Sequence, residues 1–202
     1  MITSGANSRI KTIRKLRERK ERQSSQLSYV EGLRLVIEAV QQKADIETIV
    51  VAPELLTSEI GMKVIAQANE MNYEILETSA QVFRSISLKD DPQGIAAIVK
   101  QRWVRLESMR PNPGDLWVAL VEVADPGNLG TILRSLDSVG GKGVMLLDRA
   151  TDPYDPTAIR ASMGAIFSLN LVKTDLHNFG LWKHQNQFPV VGAAGDGSED
   201  CH

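Results

Sequence analysis

The residues best suited to chemistry follow the apolar run at residues 118–123, which an Asp-Pro-Gly turn at residues 125–127 interrupts. Between residues 129 and 139, apolar side chains recur at three- and four-residue spacing, which indicates one face of a helix. The pattern therefore predicts a strand, a tight turn and a helix. Asn128 occupies the position expected of the helix N-cap, and Arg134 follows almost two turns along the same helix.

An amide and a guanidinium beside such a turn can hold a hydroxyl group and stabilise negative charge on its oxygen. The alternative is structural, because an arginine among apolar neighbours can simply pair with a carboxylate or a carbonyl at a strand end. From the residues alone, both interpretations of Arg134 stay open.

A second candidate cluster is Arg-Ala-Ser-Met-Gly-Ala at residues 160–165. Its small residues permit close backbone approach, Ser162 offers a hydroxyl and Arg160 a cation. The alternative is that Ser162, Gly164 and the two alanines only allow tight helix packing. Pro156, a few residues earlier, suits the first position of a helix.

DPGNLGTILRSLDSVG resembles the first motif of the SpoU (TrmH) family of RNA 2′-O-ribose methyltransferases, in which Gly follows Asn by two residues and Arg comes next. RASMGA resembles the second motif of the same family. The resemblance implies that Asn128 and Arg134 are catalytic. It also implies that the substrate and S-adenosylmethionine pocket includes four further residues, namely Gly130, Arg160, Ser162 and Gly164.

The implied reaction is methyl transfer from S-adenosylmethionine to a ribose 2′-hydroxyl. In the family the first-motif arginine, here Arg134, is proposed to assist deprotonation of that hydroxyl. An arginine, with a pKa above ~12, is a poor base, so stabilisation of the developing alkoxide is the easier role to defend. Asn128 is then expected to hold Arg134 or the ribose, and the sequence contains no cluster of metal ligands.

Residues 7–22 are predicted as one basic helix, with eight cations against two carboxylates and a net charge of +6. A narrow apolar edge of Ile10, Ile13 and Leu16 is expected to dock it. Such a patch attracts phosphates without reading sequence, although many charge runs are only solvated helix faces. The cations predicted to contact RNA are Arg9, Lys11, Arg14 and Lys15.

Strand and helix patterns alternate through residues 28–99, which predicts an α/β domain with a mostly parallel sheet. YVEGLRLVIEAV and DPQGIAAIV resemble the RNA-substrate-binding domain that precedes many SpoU catalytic domains and is similar to small ribosomal proteins. The resemblance makes Glu31, Arg34 and Gln93 candidates for RNA contact, while Glu31 is equally suited to cap its helix.

The predicted fold class is α/β with two α/β domains. A ribosomal-protein-like substrate-binding domain is expected at residues 1–102, and a linker marked by Pro, Asn and Gly at residues 103–114. An incomplete SpoU methyltransferase domain of the SPOUT, trefoil-knot type is expected at residues 115–202. That domain is predicted to contain a final strand at residues 189–192.

The third SpoU motif is not found, since residues 195–199 lack the spacing of its Gly-x-Glu-x-x-Gly loop and no Ser-Leu-Asn run follows. In the family that segment forms the knot, much of the cofactor pocket and part of the dimer interface. We therefore expect a truncated chain with reduced cofactor binding and uncertain dimerisation. The alternative function is a non-catalytic RNA-binding remnant.

The composition indicates the class of protein, since 43% hydrophobic and 24% charged residues are typical of a globular protein. No apolar run approaches the ~20 residues of a membrane span, and no signal-peptide core is present. A single cysteine, Cys201, fits a cytoplasmic location, and Cys201 with His202 makes no metal site. An unrelated nucleotide-binding domain is disfavoured because Gly-x-Gly-x-x-Gly and Gly-Lys-Ser/Thr loops are absent. The expected partner is RNA, ribosomal rather than transfer RNA.

Overall fold

The computed structural model describes residues 1–193, which form two sheets with helices packed against them. The strands are β1 (Leu27–Glu31), β2 (Ile46–Val51), β3 (Glu74–Glu77), β4 (Ile95–Lys100), β5 (Trp117–Val121), β6 (Gly143–Leu147) and β7 (Asn170–Thr174). The helices are α1 (Ser8–Lys15), α2 (Arg19–Ser25), α3 (Leu33–Gln41), α4 (Glu59–Glu70), α5 (Ala80–Ile86), α6 (Pro126–Ser138), α7 (Pro156–Ser162), α8 (Ala165–Ser168) and α9 (Leu176–Asn186). The predicted two-domain α/β class is confirmed.

The N-terminal sheet has the order β1-β4-β2-β3 and is mixed. Strand β4 pairs antiparallel with both β1 and β2, and only β2 and β3 are parallel. The prediction of a mostly parallel sheet was therefore wrong for this domain. Alternation of helices and strands leaves the direction of β4 open, because β4 enters the middle of the sheet rather than its edge.

The basic N-terminal segment forms two helices rather than the single one predicted. Helix α1 begins at the N-cap Asn7, whose side chain accepts a hydrogen bond from the backbone N–H of Arg9 at 2.9 Å. The chain then leaves the helix at Leu16, and the carbonyls of Leu16 and Arg17 accept hydrogen bonds from the guanidinium of Arg22. Carbonyls at a helix end need such donors, so Arg22 supports the break. The predicted apolar edge is buried.

The C-terminal sheet is parallel, in the order β5-β6-β7. All five residues of β6 are buried, as expected for the central strand of a parallel sheet. Residues 189–192 follow α9 without forming a strand, so the strand predicted there was wrong. The isolated bridge between Val104 and Val172 instead brings the linker alongside β7.

One hydrophobic core runs through both domains. It joins one face of the N-terminal sheet and helices α3 and α4 to helices α6, α7 and α8 and strand β6. A second core packs α1 and α5 on the other face of the N-terminal sheet. A third packs α9 and the linker on the other face of the C-terminal sheet. The candidate motif helices α6 and α7 therefore rest on a core that the N-terminal domain helps to build.

Candidate active site and RNA-binding surfaces

The turn that opens α6 is capped by Asp125. Its side chain accepts a hydrogen bond from the backbone N–H of Asn128 at 2.6 Å, and Pro126 occupies the first turn. The expectation that Asn128 is the N-cap was therefore wrong, because Asp125 is the N-cap and Asn128 already lies in the first turn of the helix. This leaves the amide side chain of Asn128 free at the exposed start of the helix.

Asn128 and Arg134 both lie on α6 and are both exposed. Six residues separate them, which is about 9 Å along a helix axis. Among residues 1–193, neither side chain has a hydrogen-bond or salt-bridge partner. The structure thus does not pair Arg134 with a carboxylate, nor does Asn128 hold it by a hydrogen bond. Both polar groups are available to an external ligand, and their catalytic role stays a prediction.

The buried side of α6 fixes where these two groups point. Leu129, Leu133 and Leu136 are buried in the core shared by both domains. Gly130 lies on the same side against α7, where an added Cβ would come within 2.6 Å of the Cβ of Ala161 and would also clash with the carbonyl of Ala158. The described contacts give Gly130 a packing role, and its place in a cofactor pocket stays a prediction.

Helix α7 carries the second motif and is largely enclosed. Ser162 is 1% exposed, and its hydroxyl donates to the carbonyl of Ile159 at 2.8 Å. The helix ends at Met163 and Gly164, both in the left-handed region, where φ of Gly164 is +105°. A Cβ on Gly164 would meet the side chain of Glu38 on α3. These contacts favour the packing interpretation of Ser162 and Gly164.

Arg160 is the exception on α7. Its side chain is exposed and has no hydrogen-bond partner among the described residues. Four residues were predicted to line the substrate and cofactor pocket. Among them, only Arg160 has a side-chain polar group without a hydrogen-bond partner in residues 1–193.

Arg22 joins α2 to the loop before α7. It is 1% exposed, and its guanidinium contacts Asp152 at 2.8 Å and Asp155 at 3.1 Å. Asp155 is also the N-cap of α7 and accepts a hydrogen bond from the N–H of Thr157. A single buried cation therefore fixes the second-motif helix relative to the N-terminal domain.

The linker is fixed to the same loop by Tyr154. Its hydroxyl accepts from the N–H of Arg102 at 2.7 Å and donates to the carbonyl of Arg102 at 3.1 Å. Its ring meets Trp103 edge to face at a centroid distance of 5.7 Å. Burial raises the pKa of Tyr154 to about 12. The phenol therefore stays protonated, and able to donate, throughout the neutral range.

A cavity of about 630 Å³ opens beside this linker. It lies between α2, the linker and the carboxyl ends of β6 and β7, where open parallel sheets bind ligands. Its charged lining residues are Arg19, Arg105, Glu107, Asp152 and Lys173.

The predicted N-terminal RNA-binding cations fall into two groups. Arg9 pairs with Glu74 and donates to Thr48, and Arg14 donates to Ser85 at 3.0 Å. The carboxylate of Glu74 raises the pKa of Arg9, and the guanidinium in turn lowers the pKa of Glu74. Lys11 and Lys15 are exposed without a partner among residues 1–193. The carboxylate that pairs with Arg9 lies 65 residues away in the sequence, outside the basic segment.

The three further candidates for RNA contact in the first domain differ in their exposure and hydrogen bonding. Glu31 is 7% exposed, and its oxygens accept from the hydroxyl of Ser87 and the N–H of Leu88, both at 2.6 Å. This internal role argues against RNA contact by Glu31. Gln93 caps α3, because its Oε1 accepts from the N–H of Leu33 at 3.1 Å. Arg34 is exposed and remains a candidate for RNA contact.

Sequence reasoning did not connect Arg22, Arg105 and Lys173 with the two motifs or with a cavity. Arg22 counted only as one more cation of a basic helix, and its acidic partners lie 130 and 133 residues away. Arg105 and Lys173 are isolated cations in the linker and β7. No local pattern could have joined them, because the bridge between Val104 and Val172 that brings them together forms only in the fold.

Residues 1–193 contain neither a candidate membrane span nor a cluster of metal ligands. None of the helices there is both long and apolar enough to cross a bilayer. The same residues contain no group of three or more His, Cys, Asp or Glu side chains placed to hold a metal ion. Cys201 and His202 lie outside the described residues.

Comparison with protein families gives two matches. Residues 115–202 match the SpoU rRNA Methylase family, and residues 7–97 match the MRM3-like substrate binding domain. Both motifs on α6 and α7 lie inside the first of these matches.

The chain is also similar to methyltransferases of known structure and to named curated proteins. An rRNA methyltransferase from Sinorhizobium meliloti is 34% identical, with a TM-score of 0.80, and the match covers 91% of this chain and 68% of that one. Its AdoMet-bound structure matches with the same TM-score and identity, covering 92% and 68%. The 23S rRNA (guanosine(2553)-2′-O)-methyltransferase RlmP of Bacillus subtilis is 28% identical over 180 residues, 88% of this chain and 66% of that protein.

The chain spans 66% of the length of the Bacillus relative and smaller parts of other curated relatives, down to 20%. The chain nevertheless resembles the Sinorhizobium enzyme over more than nine-tenths of its own length. Its two sheets and the helices α6 and α7 that carry the motifs are consistent with the same family. The chain therefore belongs to the SpoU family of rRNA methylases.

Proposed function

We propose that the protein transfers a methyl group from S-adenosylmethionine to a ribose 2′-hydroxyl of RNA, with ribosomal RNA as the substrate. The observation that carries this proposal is the pair of exposed side chains on α6, Asn128 and Arg134, which have no partner within residues 1–193. They follow the carboxyl end of β5, at the edge where parallel sheets bind ligands. The named relatives that act on rRNA support the choice of substrate.

Arg134 acts in this proposal as a cation rather than a base. A guanidinium stays protonated at neutral pH, so it stabilises the negative charge that develops on the ribose oxygen as the hydroxyl proton passes to solvent water. The oxygen bonds to the methyl carbon while the bond from that carbon to the sulfonium sulfur breaks, and S-adenosylhomocysteine is the leaving group. Asn128 orients the ribose through its amide. Since no described residue holds either group, the substrate itself brings them into register, and positioning contributes much of the rate.

S-adenosylmethionine supplies the electrophilic methyl group when bound. Of the residues predicted to hold it, Gly130 and Gly164 pack closely against neighbouring atoms, and the hydroxyl of Ser162 is bonded to the carbonyl of Ile159. Arg160 offers an exposed cation on α7. The place of all four in the cofactor pocket stays a prediction, and no catalytic step is assigned to them.

The proposal extends to organisation and location. Residues 1–102 form the substrate-binding domain, residues 103–114 the linker and residues 115–202 the methyltransferase domain. Of the residues predicted to contact RNA, Lys11, Lys15 and Arg34 are exposed cations that suit RNA phosphates. We further propose a cytoplasmic site of action and a homodimer as the assembled form.

Calorimetric titration with S-adenosylmethionine and methylation of rRNA fragments test the proposal together. We expect saturable cofactor binding, methyl incorporation at a ribose, and loss of at least about a hundredfold in rate for Arg134→Ala, the scale of removing one oxyanion-stabilising donor. Retained RNA binding without cofactor binding would refute catalysis and favour the alternative of a non-catalytic RNA-binding protein.

A further inference from the structure

The cavity between the two domains has a charge opposite to that of the whole chain. Arg19, Arg105 and Lys173 line it, and all three are exposed. Of the two carboxylates in the lining, Asp152 is buried and shares the cation of Arg22 with Asp155. The exposed part of the lining therefore has three cations against the single carboxylate of Glu107, in a protein with a net charge of −2.

The cations are available to a ligand. Among residues 1–193, Arg105 and Lys173 have no side-chain hydrogen bond or salt bridge. Arg19 makes one contact, a donation to the carbonyl of Ala150 at 3.3 Å, which leaves most of its guanidinium donors unused. Three such cations converging on a cleft form a site for phosphate groups.

The rest of the lining suits nucleobases. Gln23 and Gln26 contribute exposed amides from α2, and amides can donate to and accept from base edges. Trp103 lines the cavity as a half-buried ring that Tyr154 contacts edge to face. An aromatic ring beside a cationic groove is the usual arrangement for unpaired nucleotides. The volume of about 630 Å³ lies within the range of ligand cavities.

The cavity lies at the same edge of the sheet as the proposed catalytic groups. Leu147 at the end of β6 is in register with Val121 of β5 and with Thr174 of β7. Neighbouring strands lie about 4.8 Å apart, so the ends of β5 and β7 are about 10 Å apart. Asn128 follows the first of these strands, and the cavity opens beside the second. One RNA chain can therefore reach both.

We propose that this cleft binds a single-stranded stretch of the substrate RNA next to the modified nucleotide. Arg19, Arg105 and Lys173 contact its phosphates, and Trp103 stacks on one of its bases. The inference rests on the proposed function for the identity of the RNA. It adds a binding site formed jointly by α2, the linker and β7, with Arg22 holding its two walls together.

The test compares two double variants of the full chain. Arg105→Ala with Lys173→Ala removes two cleft cations, whereas Lys43→Asn with Lys63→Ala removes two exposed cations beside α3 and on α4. Asn is chosen at position 43 because that backbone has a φ of +52°, which asparagine tolerates. Binding of a mixed-sequence single-stranded RNA oligonucleotide and of an RNA duplex of equal length is measured over a series of salt concentrations.

We expect the cleft variant to bind the single strand about tenfold more weakly at low salt. Its salt dependence should be shallower by about 1.4 in slope, or 0.7 for each lost phosphate contact. The control variant should stay within about twofold of the unmodified protein, and thermal unfolding checks that both variants are folded. Duplex binding should change less than single-strand binding.

Equal affinity of the cleft variant and the unmodified protein would overturn the inference and leave the proposed methylation standing. Absence of RNA binding by the unmodified protein would overturn it as well. Cleft-dependent RNA binding without methyl transfer would instead support the cleft and refute the proposed catalysis, so the two failures can be told apart.

Discussion

Helices α6 and α7 carry the two motifs and pack against each other, yet they present different kinds of residue. On α6, Asn128 and Arg134 extend from the protein without partners among the described residues. On α7, Ser162 is bonded internally and Gly164 is closed by Glu38. Arg22 additionally fixes the start of α7.

The difference indicates a division of labour. A side chain that binds the substrate needs polar atoms that are free to contact it. A buried residue that only positions other groups needs all of its polar atoms hydrogen-bonded within the protein. Helix α6 supplies the first kind. Apart from the exposed Arg160, α7 supplies the second by packing against Gly130 and the shared core. Four substitutions test this division, in descending order of their expected effect on the free energy of unfolding.

Arg22→Met should have the largest effect, because it leaves Asp152 buried without its cation. Breaking a buried ion pair from one side costs about 3–5 kcal/mol. The loss should appear as a lower midpoint in urea unfolding. The double variant Arg22→Met with Asp152→Asn should recover part of it, since no uncompensated charge remains. A cost below ~1 kcal/mol would contradict the anchoring role assigned to Arg22.

Gly130→Ala should be next. The new methyl would lie within 2.6 Å of the Cβ of Ala161 and 2.9 Å of the N atom of Ser162. Overpacking of this kind typically costs 1–3 kcal/mol, because α6 and α7 must separate. The matched control is Gly180→Ala on α9, where an added Cβ meets nothing within 4 Å. Stability equal to that of the control would refute the packing role of Gly130.

Tyr154→Phe should cost about 1 kcal/mol at neutral pH, the value of a typical hydrogen bond. The free energy of unfolding of this variant should also decrease less steeply as the pH rises through the alkaline range. The folded protein keeps the phenol protonated until a pKa of about 12, whereas the unfolded chain releases this proton near pH 10. Stability therefore falls as pH rises from 10 to 12. Urea unfolding at pH 8 and pH 11 measures the change, and an unaltered slope in the variant would contradict it.

The elements near the motifs could be predicted because their signals are local. The periodicity of α6 and the proline that begins α7 lie within the segments they describe. The motif resemblance also rests on contiguous residues. These features therefore needed no knowledge of distant parts of the chain.

The features that could not be predicted depend on distant partners. Arg22 finds its carboxylates 130 and 133 residues away, and Arg9 finds Glu74 only after β3 joins the sheet. The N-cap of α6 was missed for another reason, since Asp125 and Asn128 are both good capping residues three positions apart. Local sequence could not choose between them.

Arg134→Ala should have the smallest effect on stability and therefore tests the comparison most sharply. An exposed side chain without partners contributes within about 0.5 kcal/mol, so the urea midpoint should match that of the unmodified protein. Methyl transfer should fall at least about a hundredfold, while RNA affinity stays nearly unchanged. Arg134→Lys keeps the charge but loses the planar fork, and it should recover only part of the rate. If Arg134→Ala instead lowered stability as Gly130→Ala does, α6 would be a packing helix like its neighbour, and the assignment of chemistry to its exposed face would fail.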